Sequence, residues 1–176
     1  VIALMLLLEY PPLVIRTRIA DLAPVAMRME MVKGINSCTL INDSYNSDLV
    51  SLSIALDYLK QQDRHSGKTV ILSDIMQSGK DSGDLYAEVA DMLKKKNIGR
   101  FIGIGPGLKS QEGLFPSGTR FFNSTGEFLA DIHTMEFRDE AILIKGARVF
   151  AFEKITQRLQ EKNHRTVLEI DLNAMI

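Results

Sequence analysis

Apolar and polar positions recur with two different periods along this chain, and the changes of period mark out its elements. Val1 to Leu8 is a continuous apolar run ending at Glu9, and Pro11-Pro12 is expected to stop it. Leu13, Ile15, Ile19 and Leu22 then fall at helical spacing, and Ala23-Pro24-Val25 reads as a linker. Two short strand-like runs follow, Arg28 to Lys33 and Cys38 to Asn42. Between them, Gly34-Ile35-Asn36-Ser37 is hairpin grammar, with a Gly and an Asn available for unusual backbone angles. Asp48 to Leu59 is helical, with Leu49, Leu52, Ala55, Leu56 and Leu59 on one face. Thr69 to Leu72 is a short apolar strand. Leu85 to Lys96 is a helix that turns Val89, Met92 and Leu93 inward and ends in Lys94-Lys95-Lys96, where cations suit the helix dipole. Arg100 to Ile104 and Thr119 to Phe122 are strands, Glu127 to His133 a short helix, Ala141 to Ile144 a strand and Val149 to Glu161 a helix.

Brief apolar strands alternating with amphipathic helices predict an α/β domain of Rossmann-like, three-layer form. Its sheet is mostly parallel, with about six strands and an antiparallel edge strand from the opening hairpin. Ligands of such sheets sit outside the carboxyl ends of the strands. The residues that matter most therefore follow the strands: Asp43-Ser44-Tyr45-Asn46, Ser73-Asp74-Ile75-Met76, Gly103-Ile104-Gly105-Pro106-Gly107 and Lys145-Gly146-Ala147-Arg148.

Composition narrows the classes. The 176 residues suit one domain with short additions, and 45% hydrophobic content is that of a folded protein. Twenty-one basic against 22 acidic residues argue against a general nucleic-acid or membrane-surface binder. Cys38 is the only cysteine, so no disulfide framework or cysteine-based zinc site is expected, and a reducing, cytoplasmic setting fits. The longest apolar run is far short of the roughly 20 residues of a membrane span. The chain starts without Met, and Val167 to Leu172 begins a clean alternation just before the end. Both ends look cut, and we expect a piece of a longer polypeptide.

Several motifs resolve to ordinary structure. Ser66-Gly67-Lys68-Thr69 lacks the earlier glycine of a phosphate loop (Gln62 stands there) and precedes a strand instead of following one. Gly103 to Gly107 resembles the opening of a dinucleotide fingerprint, but Leu108 stands where its third glycine belongs, so a tight turn is expected. His65, His133 and His164 are widely spaced and read as surface residues, and no metal site is expected. Met27, Met29 and Met31 read as packing.

Three constellations carry chemistry. Asp74, after Thr69-Val70-Ile71-Leu72-Ser73, resembles the phosphoacceptor strand of response-regulator receiver domains, with Lys145 as the residue that would sense the phosphoryl group. Gln77 and Gly146 stand where that family usually has prolines. Arg28 and Asp43 lie toward the open end of the hairpin, where they can approach each other. A carboxylate there can accept from ribose hydroxyls, a guanidinium can serve ribose or phosphate oxygens, and Tyr45 and Asn46 can stack on and bond a purine. The alternative is a surface ion pair with a turn-forming Asn. Lys145 and Arg148 place two cations ahead of a helix N-terminus, which is unfavourable unless an anion binds or Glu153 or Asp139 pairs with them.

Taken in order, Arg28-Met29-Glu30, Ile41-Asn42-Asp43-Ser44-Tyr45-Asn46, Leu72-Ser73-Asp74-Ile75-Met76-Gln77-Ser78-Gly79 and Lys145-Gly146-Ala147-Arg148 resemble the C-terminal domain of the Mur ligases of peptidoglycan synthesis. The resemblance is to the branch that adds D-alanyl-D-alanine to UDP-N-acetylmuramoyl-tripeptide, and it runs from about Val25 to Gln160. It implies residues 1–24 as remnant of the central ATPase domain and linker, and 25–162 as the C-terminal domain. His164 to Ala174 resembles the opening strand of an alanine racemase, so 163–176 would begin a racemase in a ligase–racemase fusion. The resemblance implies ATP-dependent amide-bond formation, with Arg28 and Asp43 on the ribose and Tyr45 and Asn46 near the adenine. Lys145, Arg148 and Asp74 would face the substrates. Mg2+ would be held by the central domain, and pyridoxal phosphate only by the racemase. The chain would provide no catalytic residue and be inactive alone. The sequence departs from the family at Ser47-Asp48-Leu49 (often Ala-Asn-Pro), Tyr86 (commonly His) and Ala147 (usually Ser).

Overall fold

The structure is a computed structural model and describes residues 2–20, 26–76 and 78–161. The linker at 23–25 and the racemase-like segment at 163–176 lie outside the described residues. Near the start, α1 (Ile2–Leu7) and α2 (Pro12–Ala20) form a helical pair. The first helix ends at Leu7, ahead of Pro11-Pro12, and Pro12 also starts the second: its missing N–H would lack a partner there anyway, and its fixed φ suits the first turn. The pair leaves Leu4, Leu7, Leu8 and Leu13 exposed and buries Ile15.

The remainder is β1 (Glu30–Lys33), β2 (Thr39–Asp43), α3 (Leu49–Lys60), β3 (Gly67–Ser73), α4 (Ser82–Lys95), β4 (Arg100–Ile104), α5 (Pro106–Ser110), β5 (Arg120–Phe122), α6 (Thr125–Asp131), β6 (Glu140–Lys145) and α7 (Glu153–Leu159). Six strands lie in the order β1-β2-β6-β3-β4-β5, and every pairing is parallel except β1 with β2.

Successive strand residues point to opposite faces, and the core divides accordingly. Ile41, Val70, Leu72, Ala141 and Leu143 meet α3 and α4 through Leu52, Leu56, Leu85 and Val89. Leu40, Ile71, Ile102, Ile142 and Ile144 meet α6 and α7 through Phe128, Ile155 and Leu159. Helices leave β2 and β3 toward the first face, whereas β6 between them sends its chain to the second. The carboxyl end of β6 is thus a point where connections diverge, the kind of place where α/β sheets open a crevice.

Two local expectations shift. In the hairpin connection, Asn36 and Ser37 take positive φ (49° and 62°), while Gly34 has an ordinary φ of −96°. The last helix starts at Glu153, not Val149, because Arg148–Phe150 form a 3-10 turn and Ala151 is left-handed (φ 51°). Phe152 lies against Gly146, where a Cβ would come within 2.6 Å of the ring, and this contact bends the segment after β6.

Candidate functional site

Asp43 ends β2 and Lys145 ends β6, and the parallel register sets them opposite each other. Both project toward the α3 face, as Ile41 and Leu143 do two residues earlier. Lys145 is 1% exposed, and a buried ammonium is strongly disfavoured unless its charge and donors are satisfied. Its Nζ donates to Asp43 Oδ2 at 2.6 Å and to the carbonyl of Asn46 at 3.0 Å. The Asp43 side chain keeps 15% exposure, and among the described residues no donor reaches its other oxygen.

Short polar residues then fix the loop that follows β2. Ser44 is buried and donates to Asn42 Oδ1 at 2.7 Å, and the Ser47 N–H donates to Asn46 Oδ1 at 2.9 Å. Asp48 caps α3 by accepting from the Ser51 N–H at 2.8 Å, with Ser51 Oγ returning to the Asp48 N–H. The Ser51 amide, above all, holds the Asp48 carboxyl below its ordinary range. So fixed, the loop carries Tyr45 and Asn46 exposed at the sheet's mouth. The Arg28 guanidinium lies 4.4 Å from the Tyr45 ring centroid, and that of Arg148 lies 5.8 Å from it. Among the described residues neither arginine has a carboxylate within 4 Å. Two cations with no carboxylate partner among the described residues therefore meet at one exposed aromatic ring beside a half-open carboxylate.

Arg28, Asp43, Tyr45, Asn46, Lys145 and Arg148 are brought to one end of β2 and β6, with two corrections. Arg28 does not pair with Asp43; the opposing strand gives Asp43 to Lys145, and Arg28 stacks on Tyr45. Lys145 does not face the cleft as a free cation, and its partner is Asp43, not Glu153 or Asp139.

Asp74 stands apart. It is 7% exposed and accepts from the N–H groups of Gly107 at 2.9 Å and Leu108 at 2.7 Å, and from the Tyr86 hydroxyl at 3.1 Å. Each oxygen thus takes at least one donor from the protein itself at a nearly sealed position, and the receiver-like reading has no support. Burial and the neighbouring carboxylate push the Tyr86 phenol well above its ordinary value. Gly105 and Gly107 serve this contact: Gly105 has φ 138°, and a Cβ there would fall 2.3 Å from the Asp74 carboxyl carbon.

His65 is also corrected. It is buried, not on the surface, and bridges Thr39 Oγ1 at 2.8 Å and Asp139 Oδ1 at 3.0 Å at the opposite end of the sheet. His133 is exposed, and His164 lies outside the described residues.

Sequence reasoning placed Ser73 at the mouth but missed its bonds: its Oγ accepts from the Ala147 N–H at 2.8 Å and donates to the Asp74 carbonyl at 3.0 Å, joining two mouth loops. A serine closing an otherwise apolar buried strand was the available signal. It also missed Tyr86 as the partner of Asp74. Among the described residues no three carboxylate, histidine or cysteine groups converge on a metal-sized site. No helix among the described residues is long and apolar enough to cross a membrane.

Comparison with known proteins gives a consistent result. The family described as Mur ligase, glutamate ligase domain matches residues 27–148. The UDP-N-acetylmuramoyl-tripeptide–D-alanyl-D-alanine ligase of Rickettsia prowazekii (strain Madrid E) is 28% identical over 144 residues, covering 81% of this chain and 32% of the relative. The Escherichia coli (strain K12) ligase of the same name is 24% identical over 148 residues, covering 84% and 32%. The chain thus spans about a third of the length of these relatives. A crystal structure of MurF from Acinetobacter baumannii shares the fold with a TM-score of 0.70 at 20% identity, over 92% of this chain and 36% of that one. MurF from Thermotoga maritima in complex with ADP has a TM-score of 0.62 at 17% identity, over 82% and 34%. With more than half of its length matched at the open end of its sheet and around it, this chain belongs to the Mur ligase, glutamate ligase domain family.

Proposed function

We propose that this chain is the C-terminal domain of an ATP-dependent ligase that adds D-alanyl-D-alanine to UDP-N-acetylmuramoyl-tripeptide in peptidoglycan synthesis. The observation that carries the reading is the Arg28–Tyr45–Arg148 stack beside the half-open Asp43, within the matched residues 27–148. The shared name of the relatives and the ADP in one structural neighbour support it.

In this chemistry the substrate carboxylate attacks the γ-phosphorus of ATP, and the bond to the bridging oxygen breaks as ADP leaves. The amine of the dipeptide then attacks the acyl phosphate; the C–N bond forms, the C–O bond to phosphate breaks, and the amine gives up a proton. An acyl phosphate survives only where water is excluded and the amine is aligned. The chain's part is to bind and orient. The open oxygen of Asp43 accepts from ribose hydroxyls, and Arg28 serves ribose or phosphate oxygens. Tyr45 and Asn46 face the adenine, and Arg148 faces phosphate or the dipeptide carboxylate. The central ATPase domain would supply the phosphate loop and magnesium, and residues 1–24 would lead out of it. Residues 163–176 would lead into a racemase, which alone would need pyridoxal phosphate. The enzyme would be cytoplasmic, with neither nucleic acid nor membrane as a partner.

An ADP titration of the 176-residue chain, followed by amide NMR, tests this. We expect shifts concentrated at 28–30, 43–47 and 145–148, with no ATP turnover by the chain alone. Absence of shifts at millimolar ADP, or shifts centred on Asp74 and Gly107, would overturn the nucleotide site. Appreciable turnover would overturn the division of labour.

A further inference from the structure

We infer that Lys145 is a positioning residue of the ligase, acting on the nucleotide through Asp43 and the Tyr45-Asn46 loop and touching neither nucleotide nor dipeptide. This rests on the reading of Asp43 as the ribose ligand. Lys145 lies at the end of a central strand, 1% exposed, while Asp43 opposite it keeps 15% of its side chain exposed. A residue so sealed cannot meet a ligand that Asp43 can meet.

What its ammonium does is specific. One donor takes Asp43 Oδ2, which fixes the carboxylate's rotation and leaves the second oxygen for an outside donor. Another takes the Asn46 carbonyl, which ties down the loop that presents Tyr45 to the two arginines. One buried cation thus sets both the ribose contact and the adenine-facing loop. An apolar replacement would free both at once and leave Asp43 as a poorly compensated charge.

The test is steady-state kinetics of the complete ligase carrying this chain, with Lys145→Met, Asp43→Asn and the double variant. Each single variant should raise KM for ATP about tenfold, with KM for D-alanyl-D-alanine within about twofold of wild type. Because the lysine acts through the aspartate, the double variant should be little worse than the more affected single variant. Lys145→Arg, which keeps a cation and its donors, should recover part of the loss. A raised KM for the dipeptide in Lys145→Met, or single effects that multiply in the double variant, would overturn the positioning role while leaving the ribose reading intact. An unchanged KM for ATP in Asp43→Asn would instead bring down the ribose reading. Should Lys145→Met fail to fold, acylation footprinting of the unmodified enzyme decides. Lys145 should resist the reagent with and without substrates, and labelling that D-alanyl-D-alanine suppresses would overturn the proposal.

Discussion

One aspartate ends β2 and another directly follows β3, at the same end of the same sheet, and their surroundings are opposite. On the β3–β4 side, Asp74 is sealed and takes two backbone N–H groups and a tyrosine hydroxyl. On the β2–β6 side, Asp43 gives one oxygen to a buried lysine and keeps the other for solvent, beside two arginines without a carboxylate partner among the described residues. The first carboxylate builds the mouth and the second is available to use it. Position at a strand's carboxyl end is thus a weak guide to function. The count of unspent donors and acceptors around the group is a stronger one.

The largest effect should come from breaking the sealed side. Gly105→Ala puts a Cβ 2.3 to 2.6 Å from the Asp74 carboxyl atoms, at a φ of 138° that only glycine takes comfortably. The strain and the lost caps on α5 should together cost about 3 kcal/mol or more, read as a lowered urea midpoint of the chain. If the two sides are independent, the folded fraction should still show ADP-induced shifts at 43–47. Loss of those shifts in folded protein would mean that Asp74 supports the nucleotide site after all, with the Ser73 bridge to Ala147 as the obvious route.

The open side should respond in the other currency. Arg28→Ala removes the guanidinium 4.4 Å from Tyr45, and Arg148→Ala the one 5.8 Å away. Exposed cation–π contacts are worth about 0.5–1 kcal/mol, so neither change should move the urea midpoint much. ADP affinity should fall about tenfold for Arg28→Ala and less for Arg148→Ala, by the same NMR titration. Equal stability losses with unchanged ADP affinity would make the stack a structural ornament and erase the contrast with Asp74.

Much of this was legible in the chain. The continuous apolar runs at β3, β4 and β6 and the helical stripes of α3 and α4 are strong, because the strands bury both faces and the helices one, and burial leaves its pattern in the sequence. The hairpin and the clustering of Arg28, Asp43, Tyr45, Asn46 and Arg148 at one end followed from topology. Partner choice did not follow. Asp43 could have met Arg28 or Lys145, and only the register of β2 on β6 sets the lysine opposite it. His65 is polar in a polar stretch, yet Thr39 and Asp139 enclose it from far along the chain. The late start of α7 depends on Phe152 lying over Gly146, a contact that no local propensity records.

The smallest effect, and the one that places the boundary of the open side, concerns Asp48. Asp48→Ala removes the cap of α3 and should cost about 1 kcal/mol at pH 7. Its carboxyl is held below the ordinary 3.8, mainly by the Ser51 amide, so the folded state binds this proton less readily than the unfolded chain. The stabilisation is therefore complete above the unfolded value and is lost as pH falls through the lower folded one. Urea midpoints of wild type and variant should differ at pH 7 and converge as the pH drops below 3.8. A difference that persists unchanged in acid would assign the effect to the hydrogen bonds of a neutral side chain instead of to charge. The same variant reports on function, because Asp48 also accepts from Asn46 Nδ2 at 3.2 Å and lies within the field of Lys145. If the cap only starts the helix, ADP affinity stays the same. If affinity falls with the cap, the loop from Asp43 to Asp48 works as one unit, and the open side of the mouth extends to the first turn of α3.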